Sequence, residues 1–167
     1  MAGIKNYEEL ITKVSELKAG GVDLSMEEDL SIAIMNLVSL EEHFFFTAAK
    51  TGKDEYLKIL EIVREMRKQL LGMMIKQTEG EVWCISKHLL AAAMRLIEVG
   101  TKLQTSKQLD QAKDMFKKAY ELFSLFFAIR LKLVNITDLK RANQVVDKDQ
   151  PWTKEEIMNQ LLDCCKE

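Results

Sequence analysis

A single proline and only seven glycines interrupt this 167-residue chain. Few points force a helix to stop, so long helices joined by short breaks are the expected form. Histidine is scarce, with two copies, and cysteine numbers three. The cysteines are Cys84, Cys164 and Cys165. An odd count with two of them adjacent makes no disulfide framework and reads as reduced thiols in a cytoplasmic protein. Charge of one sign is nowhere concentrated: the net charge is −2, and no block of five like charges occurs. A nucleic-acid footprint needs clustered Lys and Arg to release phosphate counterions, so nucleic acid is not an expected partner. Long apolar runs are also missing. The most apolar stretch, residues 122–134, contains Arg130 and Lys132, and it is too short and too charged to cross a bilayer. The first residues, MAGIKNYEELITKV, lack the apolar core of a signal peptide. No membrane association and a cytoplasmic location are expected.

What is present is the material of a folded domain. Apolar residues make up 47% and charged residues 30%, too apolar for disorder and enough to bury a core at this length. Tyr7, Leu10, Ile11, Val14 and Leu17 form one helical stripe over residues 6–18. Gly20-Gly21 ends it, and Ser25 with Glu28 reads as a capping box. A second helix is predicted over 26–50, with Leu30, Ala33, Ile34, Leu37, Phe44 and Ala48 inward. After Thr51-Gly52-Lys53, a third covers 54–76 with Tyr56, Leu60, Val63, Leu70 and Met74 inward. A fourth covers 81–103, its inward row being Val82, Ile85, Leu89, Ala93, Leu96 and Ile97. Ser106 is the expected cap of a fifth, over 107–134, whose later half is apolar on nearly every side. Short connections imply antiparallel neighbours. The predicted fold is all-α: an up-and-down bundle of four long helices with a short N-terminal helix and a C-terminal helical tail. The bundle is placed at residues 1–135 and the tail at 136–167. In the tail, residues 137–146 suggest a short helix. Pro151 then interrupts, and Thr153 with Glu156 opens a last helix to about residue 165.

Residues 96–119 carry the most specific spacing. Leu96, Val99, Gly100 and Leu103 lie on one helix, and Ala112, Phe116 and Ala119 on the next. Gly100 and Ala112 let two backbones approach, and Phe116 fills the space beside them. Over residues 93–126 this hairpin resembles a tetratricopeptide repeat, which implies tight packing of its two helices and hints at partner binding. Ser124 stands where that repeat closes with proline, and Thr47 where an earlier copy needs glycine. The resemblance is to one hairpin and implies no array.

Candidate chemistry is sparse. Glu41, Glu42 and His43 interrupt the apolar pattern of the second helix in the sequence SLEEHFFF. His43 falls on a polar face with Asn36, Ser39, Thr47 and Lys50, whereas Glu41 lies on the row Leu37, Glu41, Phe44, Ala48. A carboxylate on an inward row must be paired or neutralised, and Arg67 and Arg95 are its candidate partners. Di-iron centres in helical bundles use Glu-x-x-His on two helices, a pattern absent here. Cys84 and His88 share a helix face at i, i+4, but two ligands do not complete a zinc site. No nucleophile–base pair, Gly-rich phosphate cradle or dinucleotide fingerprint occurs. No cofactor is therefore expected, and no catalytic, cofactor-binding or metal-ligating residue is assigned. Glu41, Glu42, Arg67, His88 and Arg95 form the candidate inter-helix polar cluster.

The expected function is a non-enzymatic helical interaction or scaffold module, binding a protein partner or itself. Self-association is expected through the surplus apolar surface of residues 122–134. Nine methionines, among them Met66, Met73 and Met74, suit either core filling or an adaptable binding surface. Trp152 beside Pro151 fits either a tail pinned to its own domain or a detachable helix bearing Ile157, Leu161, Leu162 and Cys165. The rival reading is a metal-binding or carboxylate enzyme with its site between the helices.

Overall fold

The structure is a computed structural model that describes residues 7–21, 23–76 and 80–133. Five helices account for nearly all of them: α1 (Tyr7–Ala19), α2 (Ser25–Thr51), α3 (Glu55–Met74), α4 (Glu81–Thr105) and α5 (Leu109–Arg130). No strand occurs among the described residues. The expected tail, residues 136–167, and with it Trp152, Cys164 and Cys165, lies outside them.

The helix ends follow local chemistry, in part not the chemistry read from the sequence. Gly52 closes α2 in the left-handed conformation (φ 66°), its N–H donating to the Ala48 carbonyl; a side chain there would meet the steric penalty glycine escapes. At the start of α2, Ser25 is not the cap. It donates both its hydroxyl and its backbone N–H to the Asp23 carboxylate, at 2.7 and 2.9 Å. These two bonds, the hydroxyl's first, hold the Asp23 pKa below its ordinary 3.8. Ser106 likewise serves the end of α4, where its hydroxyl donates to the Lys102 carbonyl, and Gln108 occupies the cap position of α5.

Two antiparallel hairpins, α2–α3 and α4–α5, lie side by side through their first helices, and α1 rests on α5. Because the helices alternate in direction, the start of α2, the end of α3, the start of α4 and the end of α5 meet at one end of the molecule. There Ile34, Met35, Leu71, Met74, Trp83, Leu90, Phe126 and Phe127 form a single buried cluster. Each large apolar side chain buried in it contributes about 1.5–3 kcal/mol, so this end joins the two hairpins. Arg130 at the end of α5 reinforces the join by donating to Glu27 of α2 at 2.6 Å. Towards the other end the buried residues divide between the two seams, Ala48 and Leu60 in one, Gly100, Ala112 and Ala119 in the other.

The predicted inward rows hold in α2 and α3 with one exception, Ala33, which is exposed. In α4 the row is turned: Trp83, Ser86, Leu90, Ala93 and Gly100 are buried while Ile97 is exposed. The cause is that α4 lies between α2 and α5 and must bury two faces. The apolar second half of α5 is also used within the chain. Phe126, Phe127, Ala128 and Ile129 are all buried, which removes the surplus surface expected there for self-association.

Candidate functional site

Glu41 and Glu42 are successive residues of α2, about 100° apart around the helix, and they turn to different neighbours. Glu41 faces α3, where Arg67 Nε donates to Oε1 at 2.8 Å and Arg64 Nε to Oε2 at 3.1 Å. Arg67 is 1% exposed and Glu41 13%, so this is a buried pair in which each charge depends on the other. Glu42 faces α4, where Arg95 Nε and Nη2 donate to its Oε2 at 2.9 and 2.5 Å. Arg95 also bonds Glu98 one turn further along α4. This second set is close to half exposed and correspondingly weak. The expectation that Arg95 would serve Glu41 is therefore corrected: its partner is Glu42, because Glu41 turns to α3 while Glu42, the next residue round the helix, turns to α4.

The ion pairs of Glu41 and Glu42 border two open grooves. On one side, Val38, Phe45, Arg64, Arg67, Lys87 and His88 line a groove between α2, α3 and α4 of about 310 Å³. On the other, a cleft of about 540 Å³ between α2 and α4 is lined by Asn36, Leu40, His43, Phe46, Lys50 and Met94. His88 is exposed at the rim while Cys84, one turn before it, is buried, so the two do not converge on one point. Among the described residues no group of three His, Cys, Asp or Glu side chains gathers where a metal ion would fit. A cation at Glu41 or Glu42 would have to displace a guanidinium. Chemically, the cluster acts as an electrostatic clasp between α2 and its two neighbours.

Sequence reasoning left Met66 and Met73 between core filling and a binding surface, and missed the exposed apolar row of α3 to which they belong. Phe45 and Phe46 of α2 are each about half exposed, at 53% and 50%. On α3, Ile59, Ile62, Met66 and Met73 are exposed at 39%, 64%, 50% and 68%. Their spacing places them along one line of the helix, roughly opposite Leu60, Arg67 and Leu71, with Gln69 the one interruption. The signal was present in the sequence: α3 has apolar residues on more of its circumference than a single neighbour can cover. No helix among the described residues is long and apolar enough to cross a membrane.

Compared with protein-family models, with curated proteins and with solved structures, the chain gives no match.

Proposed function

We propose that this chain is a non-enzymatic helical interaction module, which associates with a protein partner, a second copy of itself included, through the outer face of α3. One observation carries the reading: Ile59, Ile62, Met66 and Met73 present an apolar row to solvent, broken only at Gln69. Apolar patches on this scale mark interaction surfaces in folded proteins, and methionine adapts to varied partners. The tetratricopeptide-like spacing of residues 93–126 is in keeping with such a role. The cluster of Glu41, Glu42, Arg67, Arg95 and His88 supports it indirectly, since both carboxylates are committed to guanidinium groups and neither is free for acid–base or metal chemistry.

Sedimentation velocity across the micromolar range provides the test. The wild-type chain is expected to shift to a larger species as concentration rises, while Ile62→Lys/Met66→Lys stays monomeric with unchanged helicity. Substitutions at such exposed sites change stability by only about 0.5 kcal/mol, so a lost shift reports on the surface. A wild-type chain that remains monomeric at high micromolar concentration, or a variant that associates equally well, overturns the proposal.

A further inference from the structure

The groove between α2, α3 and α4 has features that the ion pairs alone do not account for. Val38 and Phe45 of α2, Leu60 of α3 and Ala91 of α4 give it an apolar lining. Phe45 is 53% exposed, and the Phe46 ring meets it edge-on with centroids 5.2 Å apart. Cationic side chains stand on both walls, Arg64 and Arg67 on α3 and Lys87 on α4, with His88 beside them. We infer that this groove docks an acidic protein segment, one that sets an Asp or Glu carboxylate beside an aliphatic or aromatic side chain.

Charge complementarity selects that occupant. The lining holds three fixed cations, Arg64, Arg67 and Lys87, against two carboxylates, Glu41 and Glu42. Both carboxylates are engaged from within the protein. Glu41 Oε1 accepts from Arg67 and Oε2 from Arg64, and Glu42 accepts from Arg95. Adding Arg95 and its second partner Glu98 leaves the surplus positive charge unchanged. The groove is thus opposite in sign to the whole chain, whose net charge is −2. Arg64 uses Nε for Glu41 and its side chain is 48% exposed, so its terminal nitrogens can turn to an incoming carboxylate in the forked geometry arginine favours. So small a surplus suits single carboxylates; a nucleic acid would call for several more cations. The exposed Phe45 ring supplies the apolar contact, since aromatic and arginine side chains in a recess carry much of the energy of protein interfaces. This surface is separate from the apolar row of α3, which lies roughly opposite Leu60 and Arg67 on that helix. The inference therefore does not rest on the association proposed above.

Amide NMR of the full-length chain, titrated with the capped hexapeptide EELFEE, tests the docking. Saturable shifts are expected at Phe45, Arg64, Lys87, His88 and Ala91, weakening as salt rises. The uncharged counterpart QQLFQQ is expected to bind far more weakly. Arg64→Gln/Lys87→Gln, with helicity checked by circular dichroism, is expected to lose about tenfold in affinity, the combined effect of two rim charges. Phe45→Ala, at an exposed site, is a second variant with the same expected direction. Absence of saturable shifts at millimolar peptide overturns the inference. So does equal binding of QQLFQQ, or binding that both variants leave unchanged. Ile62→Lys/Met66→Lys keeps the two proposals apart, since it is expected to bind EELFEE at least as well as the wild type. Loss of binding in that variant would place the peptide on the outer face of α3 and overturn the groove assignment, whereas the sedimentation result would stand.

Discussion

The hairpins α2–α3 and α4–α5 have connections of the same length and similar helices, yet they are sealed by different physics. In α4–α5 the seam is made by shape. Gly100, Ala112 and Ala119 are buried, and the Phe116 ring lies so close to Gly100 that an added Cβ would sit 2.5 Å from its Cε1. In α2–α3 a charge pair, Glu41 with Arg67, occupies the middle of the seam. A seam made by shape is disturbed by one added carbon; a seam made by charge is disturbed by one missing partner. The outer faces differ too, since α5 is covered by α1 and α3 carries its apolar row to solvent. The ionic hairpin is therefore the one with surface to spare.

The largest effect is expected at the buried pair. Arg67→Ala leaves the Glu41 carboxylate, 13% exposed, with only the outer Arg64. Breaking such a pair costs about 3–5 kcal/mol, or a Tm lowered by roughly 10 °C, measurable by thermal unfolding. Replacing both partners, Glu41→Met/Arg67→Met, is expected to restore most of that loss, because an apolar pair carries no desolvation cost. A single substitution that shifts the midpoint by only a degree or two would show that packing, not charge, closes this hairpin.

Next is the steric seam. On an open helix surface Gly→Ala stabilises by about 1 kcal/mol. At Gly100 the new methyl group collides with Phe116, and overpacking of this kind costs about 1–3 kcal/mol. Gly100→Ala is thus expected to destabilise, the opposite sign from an exposed glycine, and Phe116→Leu in the same chain to recover part of the loss. Chemical denaturation of the three variants decides the sign.

Smaller effects are expected where the clasp meets water. Arg95→Ala removes a set that is close to half exposed, so a change below about 1 kcal/mol is expected, shrinking further in high salt. The smallest belongs to Asp23. Its pKa is held down in the folded chain by the Ser25 hydroxyl and then by the Ser25 N–H. The folded state therefore binds this proton less readily than the unfolded state. Its contribution is present above the ordinary Asp value of 3.8 and is lost as pH falls through the lowered folded value. Amide exchange in the first turn of α2 is expected to accelerate across that window in the wild type. In Asp23→Asn it should not respond to pH there.

Much of the architecture was legible in residue order. The three-and-four spacing located each long helix, and the run from Gly100 to Ala119 identified the two surfaces that meet in the second hairpin. Glu41 stood out because a carboxylate on an apolar row needs a partner. Other features were not legible for definite reasons. Which arginine serves which glutamate depends on which helix lies on each flank of α2, and spacing within one helix is silent on that. The caps were misassigned because Asp23 and Ser25 both offer a side-chain oxygen near the same turn, and only the backbone path chose between them. The apolar end of α5 looked like an interface because its neighbours were unknown.

By itself, the sequence determined helix positions, turn points and the close approach at Gly100, since these depend on groups within a few residues of one another. Only the tertiary structure decided that α4 lies between α2 and α5, that Glu41 and Glu42 part company, and that the surplus apolar surface belongs to α3 rather than α5. Helical periodicity states which residues share a face. Whether that face meets protein or water depends on helices far away in the chain, and that is settled only when the hairpins pack.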